Sequence, residues 1–203
     1  MASSLGLVVL LTLSLRVDGQ SRIDKDIDRD PDQPKSWLDV TNRTPLKPWN
    51  RPGHSVPAVP RGAFLEKFCR SGIYKAQTTE EKLVENAGWF LIAASLASNG
   101  VAVVGGHAFS DGMCRPTQYQ YFVFVRGIYA GTLSPVLMSS RTDGALSESQ
   151  FTEKDRIQAT FSRYSDRDSL CCPSHVSEAE FVIRDVNGRP VVLFDKANTK
   201  PAR

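Results

Sequence analysis

Beyond residue 88 the apolar positions recur with a period of two. Ile157, Ala159 and Phe161 alternate with Gln158, Thr160 and Ser162, so a strand there buries one face and wets the other. Ala179, Phe181 and Ile183 repeat the pattern against Glu178, Glu180 and Arg184. Gln118 to Val125 (QYQYFVFV) is dense in aromatic and β-branched residues, Arg126-Gly127 turns, and Ile128 to Leu133 returns until Pro135 stops the strand. Asn99-Gly100 separates the apolar runs Trp89–Leu96 and Val101–Phe109, and Asn187-Gly188 leads into Pro190–Phe194. Asn-Gly is the residue pair that a tight hairpin turn asks for. One helix is predicted. Thr78 and Glu81 fit a capping box, Leu83, Val84 and Ala87 follow at helical spacing, and Gly88 suits the stop. The fold class that follows is α+β and mainly β, with six or seven strands in sequential antiparallel pairs and one short helix.

The N-terminal third reads differently. Leu5 to Leu15 is an uncharged run of eleven residues, about half of a membrane span. Val17-Asp18-Gly19 offers small residues at the positions a signal peptidase needs, although Met1 to Ser4 carries no positive charge. This predicts a signal peptide over 1–19, cut before Gln20; the competing reading is a buried N-terminal helix or strand. Residues 20–62 form an extended arm, since seven of the twelve prolines lie between Pro31 and Pro60 and charges alternate from Asp24 to Asp32. Trp37 and Trp49 either pin this arm to its own domain or offer indoles to a partner. Asn42-Arg43-Thr44 matches a glycosylation sequon. The folded domain is expected over 63–203.

Composition narrows the class without naming a reaction. The chain has 203 residues, is 41% hydrophobic and carries a net charge of +3, which suits a globular protein and excludes collagen-like, coiled-coil and wholly disordered classes. That charge is too weak and scattered to imply nucleic acid or a membrane surface by itself. Four cysteines, Cys69, Cys114, Cys171 and Cys172, all follow the leader, and an exported chain usually spends an even number on disulfides. A bond between adjacent cysteines would close a strained eight-membered ring, so two connectivities remain, each tying Cys69 and Cys114 to the Cys171-Cys172 pair. Both stay open, with Cys69–Cys172 plus Cys114–Cys171 preferred.

Candidate chemistry is sparse. Cys171 or Cys172 with His107 or His175 could serve as nucleophile and base, but that needs a free thiolate. The spacing fits no zinc site. Gly131-Thr132-Leu133-Ser134-Pro135 has proline where a nucleophile elbow needs its last glycine, and Val104-Gly105-Gly106-His107 lacks the spacing of a phosphate-binding loop. Two polar loops remain. Arg115 and Arg141, with Asp143, could converge on an anion or carboxylate; the bland reading makes Asp143-Gly144 a turn and pairs the arginines locally.

DGMCRP, then YQYFVFVRGIYAGTLSPVLMSSRTDGA, then IQATFSRYSDRDSLCCPS and an EFVI strand resemble the LppP/LprE lipoprotein family, over about Glu85 to Val192. PLKPWN-x-PG upstream is similar too. The resemblance implies a bacterial, exported, envelope-associated protein. Family members are typically lipid-anchored through a cysteine just after the signal, whereas here no cysteine precedes Cys69, so a periplasmic or secreted form without a lipid anchor is expected. The family brings no catalytic residues, cofactor or metal. The expectation is a non-catalytic module binding an unknown protein or small ligand of the envelope, with no nucleic acid and no integral membrane segment after signal cleavage. Alternatives are a thiol-dependent extracytoplasmic hydrolase, or an inhibitor or accessory subunit using the Trp37–Trp49 arm.

Overall fold

A computed structural model describes residues 36–39, 46–70 and 73–202. The expected leader at 1–19, the charged stretch at 24–32 and the sequon at 42–44 lie outside the described residues.

Strand β3 (Val101–Ser110) is buried on both faces over its first eight residues, and the alternation of its side chains sets the architecture. Val101 and Val103 point into one core, while Ala102, Val104 and Ala108 point into another. Around β3 lies a six-stranded antiparallel sheet. Its other strands are β1 (Phe90–Leu91), β2 (Leu96–Ser98), β4 (Pro116–Val125), β5 (Ile128–Thr132) and β6 (Met138–Ser139). They run in the order β1-β3-β4-β5, with β2 also on β3 and β6 also on β4. A second antiparallel sheet follows the order β10-β9-β8-β7, from β7 (Ala145–Glu153), β8 (Arg156–Arg163), β9 (His175–Val186) and β10 (Arg189–Pro201).

The sheets share one core. Val101, Val103, Tyr119, Val123 and Leu133 of the first meet Ile157, Ala159, Phe161, Phe181 and Val192 of the second. On its other face the first sheet is covered by helix α1 (Thr79–Asn86), with Val84 and Trp89 over Phe122 and Phe124. Gly106 permits this approach, since a Cβ there would lie 2.9 Å from Trp89 Cβ and 3.1 Å from Val84 Cγ1. The capping box forms as the sequence predicts: Glu81 N donates to Thr78 Oγ1, and Glu81 Oε2 accepts from Thr78 N. Glu81 does more than cap. Its carboxylate is fully buried and also accepts from Gln77 N at 2.7 Å and Ser95 N at 2.8 Å, tying the helix to the β1–β2 connection.

The mainly β, antiparallel, one-helix class holds, and so do the three hairpins. Asn99 and Gly100, Arg126 and Gly127, and Asn187 and Gly188 all have positive φ, the geometry of tight hairpin turns whose twist matches that of the strands. Two details differ from expectation. Ten strands are described rather than six or seven, because β1, β6 and β7 carry no clean alternation; in β7 the register slips at Leu146/Glu148 and again at Phe151/Glu153.

The cysteine pairing also differs. The bridges are Cys69–Cys114 and Cys171–Cys172, which overturns both connectivities that crossed between the pairs. Phe64 bridges Phe109, with Phe64 N donating to Ala108 O at 3.0 Å. This lays the following residues beside the β3–β4 turn, where Cys69 comes within a Cα distance of 5.3 Å of Cys114. The adjacent pair sits elsewhere, in the β8–β9 connection of the other sheet. There the ring is accommodated in a loop held by its own hydrogen bonds.

Candidate functional site

The tryptophans of the arm are spent within their own chain. The Trp37 ring lies 5.5 Å from Trp49, 5.1 Å from Phe161 and 5.6 Å from Phe194, and Phe181 completes the cluster. Each edge-to-face pair adds about 0.5–1.5 kcal/mol beyond its buried area. Trp49 Nε1 donates to Thr132 O. Next to it, Asn50 stands in for a strand between the two sheets. Its Oδ1 accepts from Thr132 N at 2.9 Å, and its Nδ2 donates to Thr132 O of β5 and to Val192 O of β10, each at 2.9 Å. Gly131, at φ 131°, leaves the space this side chain occupies, because a Cβ there would collide with the Asn50 amide. The PWN and GTLSP stretches are thus two halves of one joint. Ser134 is equally committed, its hydroxyl donating to Val136 O at 2.8 Å while Gln120 Nε2 donates to Ser134 O.

The polar loops meet, and their charged side chains are turned to separate partners. Ser140 N donates to Pro116 O at 3.1 Å, which sets the residue after Arg115 against the one before Arg141. Arg115 is turned back onto Asp111, with Nε 2.5 Å from Oδ2. The Arg115 and Met113 N–H groups also donate to Asp111 and help hold its carboxyl below the usual carboxylate range. Arg141 is exposed with φ 63°. Asp143 faces neither arginine. It accepts from Arg163 Nε and from Tyr164 N, both at 2.9 Å. Arg163, with a side chain only 11% exposed, also reaches Asp39 at 2.8 Å and donates to Ser177 Oγ at 3.0 Å. It fastens the Trp37 turn, the 139–144 loop and the second sheet at one point.

The thiol–imidazole pairings do not exist, since all four cysteines are bonded to each other. His107 lies in β3, its Nδ1–H donating to Phe109 O at 2.9 Å, and burial holds its pKa below the ordinary value despite that bond. His175 Nδ1 contacts Ser174 Oγ. Among the described residues no cluster of His, Cys, Asp or Glu could hold a metal ion.

One surface feature was not legible in the sequence. Phe64, Phe68 and Met113 are 49%, 60% and 70% exposed, and exposed apolar side chains that lie together mark an interaction surface where scattered ones do not. The Cys69–Cys114 bridge, with its 5.3 Å Cα separation, lies between Phe68 and Met113, so their Cα atoms are at most about 13 Å apart. Arg61, Lys67 and Arg70 are exposed in the same segment as Phe64 and Phe68, with the carboxylate of Glu66 among them and that of Asp111 beside Met113 paired with Arg115, and the Arg70 guanidinium lies 5.6 Å from the Phe64 ring centroid. A net charge of +3 spread over the chain hides this local concentration.

Every quoted motif after Ser98 now has a place in the second half of the fold. Residues 98–186 match the LppP/LprE lipoprotein family. The match runs from the β2–β3 hairpin to the end of β9 and includes DGMCRP, GTLSP, SRTDG and CCPS, a shorter stretch than the motifs suggested. Asn50, Cys69 and β10, which complete the fold, lie outside it. No match to the chain was found among curated proteins or among solved structures. A lipoprotein family implies an envelope-associated protein of unknown molecular role. Among the described residues no helix is long and apolar enough to cross a membrane.

Proposed function

We propose that this is a non-catalytic envelope module that seats on an anionic bilayer surface through Phe64, Phe68 and Met113. The observation that carries the reading is the exposure of Phe68 and Met113 on either side of the Cys69–Cys114 bridge, with exposed Phe64 in the same segment. Aromatic and thioether side chains gain from the headgroup boundary, and Arg61, Lys67 and Arg70 add attraction to anionic lipid. In the oxidised form no described cysteine is free to act as a hydrolase nucleophile, and Trp37 and Trp49 pack on each other and on Phe161.

Sedimentation with phosphatidylglycerol vesicles tests the reading. Binding is expected to be salt-sensitive, weak on phosphatidylcholine, and reduced about tenfold by Phe68→Ser and again by Met113→Ser. Val136→Ser, which removes another exposed aliphatic at 56% exposure, should leave it unchanged. Absence of vesicle binding, or equal loss in Val136→Ser, refutes the membrane reading and returns the face to a protein or small-ligand partner.

A further inference from the structure

The two bridges differ in what they do for the fold. Cys69–Cys114 closes a loop with a sequence separation of 45, worth about 4 kcal/mol in the chain-entropy model. Cys171–Cys172 joins neighbours and closes no loop, so it removes almost no freedom from the unfolded chain. Adjacency also fixes its Cα atoms 3.8 Å apart, shorter than the usual disulfide range of about 4.4–6.8 Å. A bond that staples nothing and sits in unfavourable geometry is poorly explained as scaffolding.

Its surroundings suit a reaction. Both residues are exposed, as is Leu170 beside them at 68%. Ser169 Oγ lies 3.2 Å from Cys171 Sγ. An oxidised sulfur carries no proton, so the hydroxyl is the donor, aimed at the atom that would become a thiolate. The loop has restraints besides the bond. Asp168 accepts from Ser165 N, Ser165 Oγ and Ser174 N at 2.8–2.9 Å, Tyr164 OH donates to Leu170 O, and Cys172 N donates to Ser169 O.

We infer that Cys171–Cys172 is a thiol–disulfide exchange site for an extracytoplasmic dithiol. One thiolate of the dithiol attacks Cys172 Sγ, the Sγ–Sγ bond breaks, and Cys171 Sγ leaves as a thiolate held by the Ser169 hydroxyl. The second thiol, deprotonated, attacks the sulfur of its own mixed disulfide, and Cys172 leaves. Two electrons pass from the dithiol, now a disulfide, to the pair, and the two protons released by the dithiol are taken up by Cys171 and Cys172. The loop keeps its Asp168 frame in both states.

Dithiothreitol titration of the folded, oxidised full chain at neutral pH, with alkylation and peptide mapping, tests this. Labels at Cys171 and Cys172 are expected at dithiol concentrations about tenfold or more below those that open Cys69–Cys114. Ser169→Ala should slow the labelling several-fold with unchanged near-UV circular dichroism. Opening of both bridges at the same concentration, or opening of the adjacent pair only in denaturant, overturns the inference. An unchanged rate in Ser169→Ala overturns the part assigned to that hydroxyl.

Discussion

Replacing Asn50 by alanine probes the joint between the sheets. The substitution leaves Thr132 N–H and Val192 O without their partners, while Thr132 O keeps the bond from Trp49 Nε1. A buried polar group left unpaired costs about 1–3 kcal/mol, and since Asn50 is only half-buried the lower part of that range applies to each group, about 2–4 kcal/mol in all. In urea, with a slope near 2 kcal/mol/M, the unfolding midpoint should fall by about 1–2 M with the slope unchanged. Gly131→Ala supplies the cross-check. Its Cβ meets the Asn50 amide at a positive φ of 131°, so alone it costs both backbone strain and a collision. In Asn50→Ala the collision disappears, and the double variant should lose less than the two single losses together. Strict additivity, or a midpoint shift below about 0.2 M in Asn50→Ala, would show that the amide is not the joint.

Two further outcomes follow from buried charges. Arg163→Leu leaves Asp39 and Asp143 facing each other's region without their cation, and because both carboxylates are partly exposed the loss should be about 2 kcal/mol, below the range for fully buried pairs; thermal unfolding at neutral pH measures it, and an unchanged midpoint refutes the clamp. For Glu81, burial pushes the carboxyl up, but the N–H donors of Gln77, Ser95 and Thr78 outweigh it and the net pKa lies below the ordinary glutamate value. A depressed folded pKa means that its stabilisation is complete above the ordinary value and is lost as pH falls through the folded one. Glu81→Gln should flatten that acid limb in a stability–pH series, and an unaltered limb would contradict the assignment.

The parts of the fold that were legible in the sequence were local. Asn-Gly and Arg-Gly announce hairpins because φ above zero is a single-residue requirement, and Thr78 with Glu81 announces a helix start because the cap closes within four residues. β7 escaped because two register slips scatter Leu146 and Phe151 out of phase. The cysteine pairing escaped for a different reason: which sulfurs meet depends on the Phe64–Phe109 bridge, a contact across the fold with no sequence signal. Arg115, Arg141 and Asp143 lie in loops that meet at Ser140 and Pro116. Their charges are nonetheless used elsewhere, Arg115 by Asp111 and Asp143 by an arginine twenty residues further on. Arg163 itself gave no hint, because nothing in SRYSDRDS distinguishes a cation turned inward at a strand end from a solvated one.

The bond from Asn50 to Val192 spans 142 positions. A polypeptide that emerges amino end first therefore carries Trp37, Trp49 and Asn50 uncovered until its final hairpin has appeared. The native state can be sealed only after synthesis or translocation is all but finished. Until then the indoles are open to chaperones, and a shortened product lacking the last strand would remain in that unsealed form.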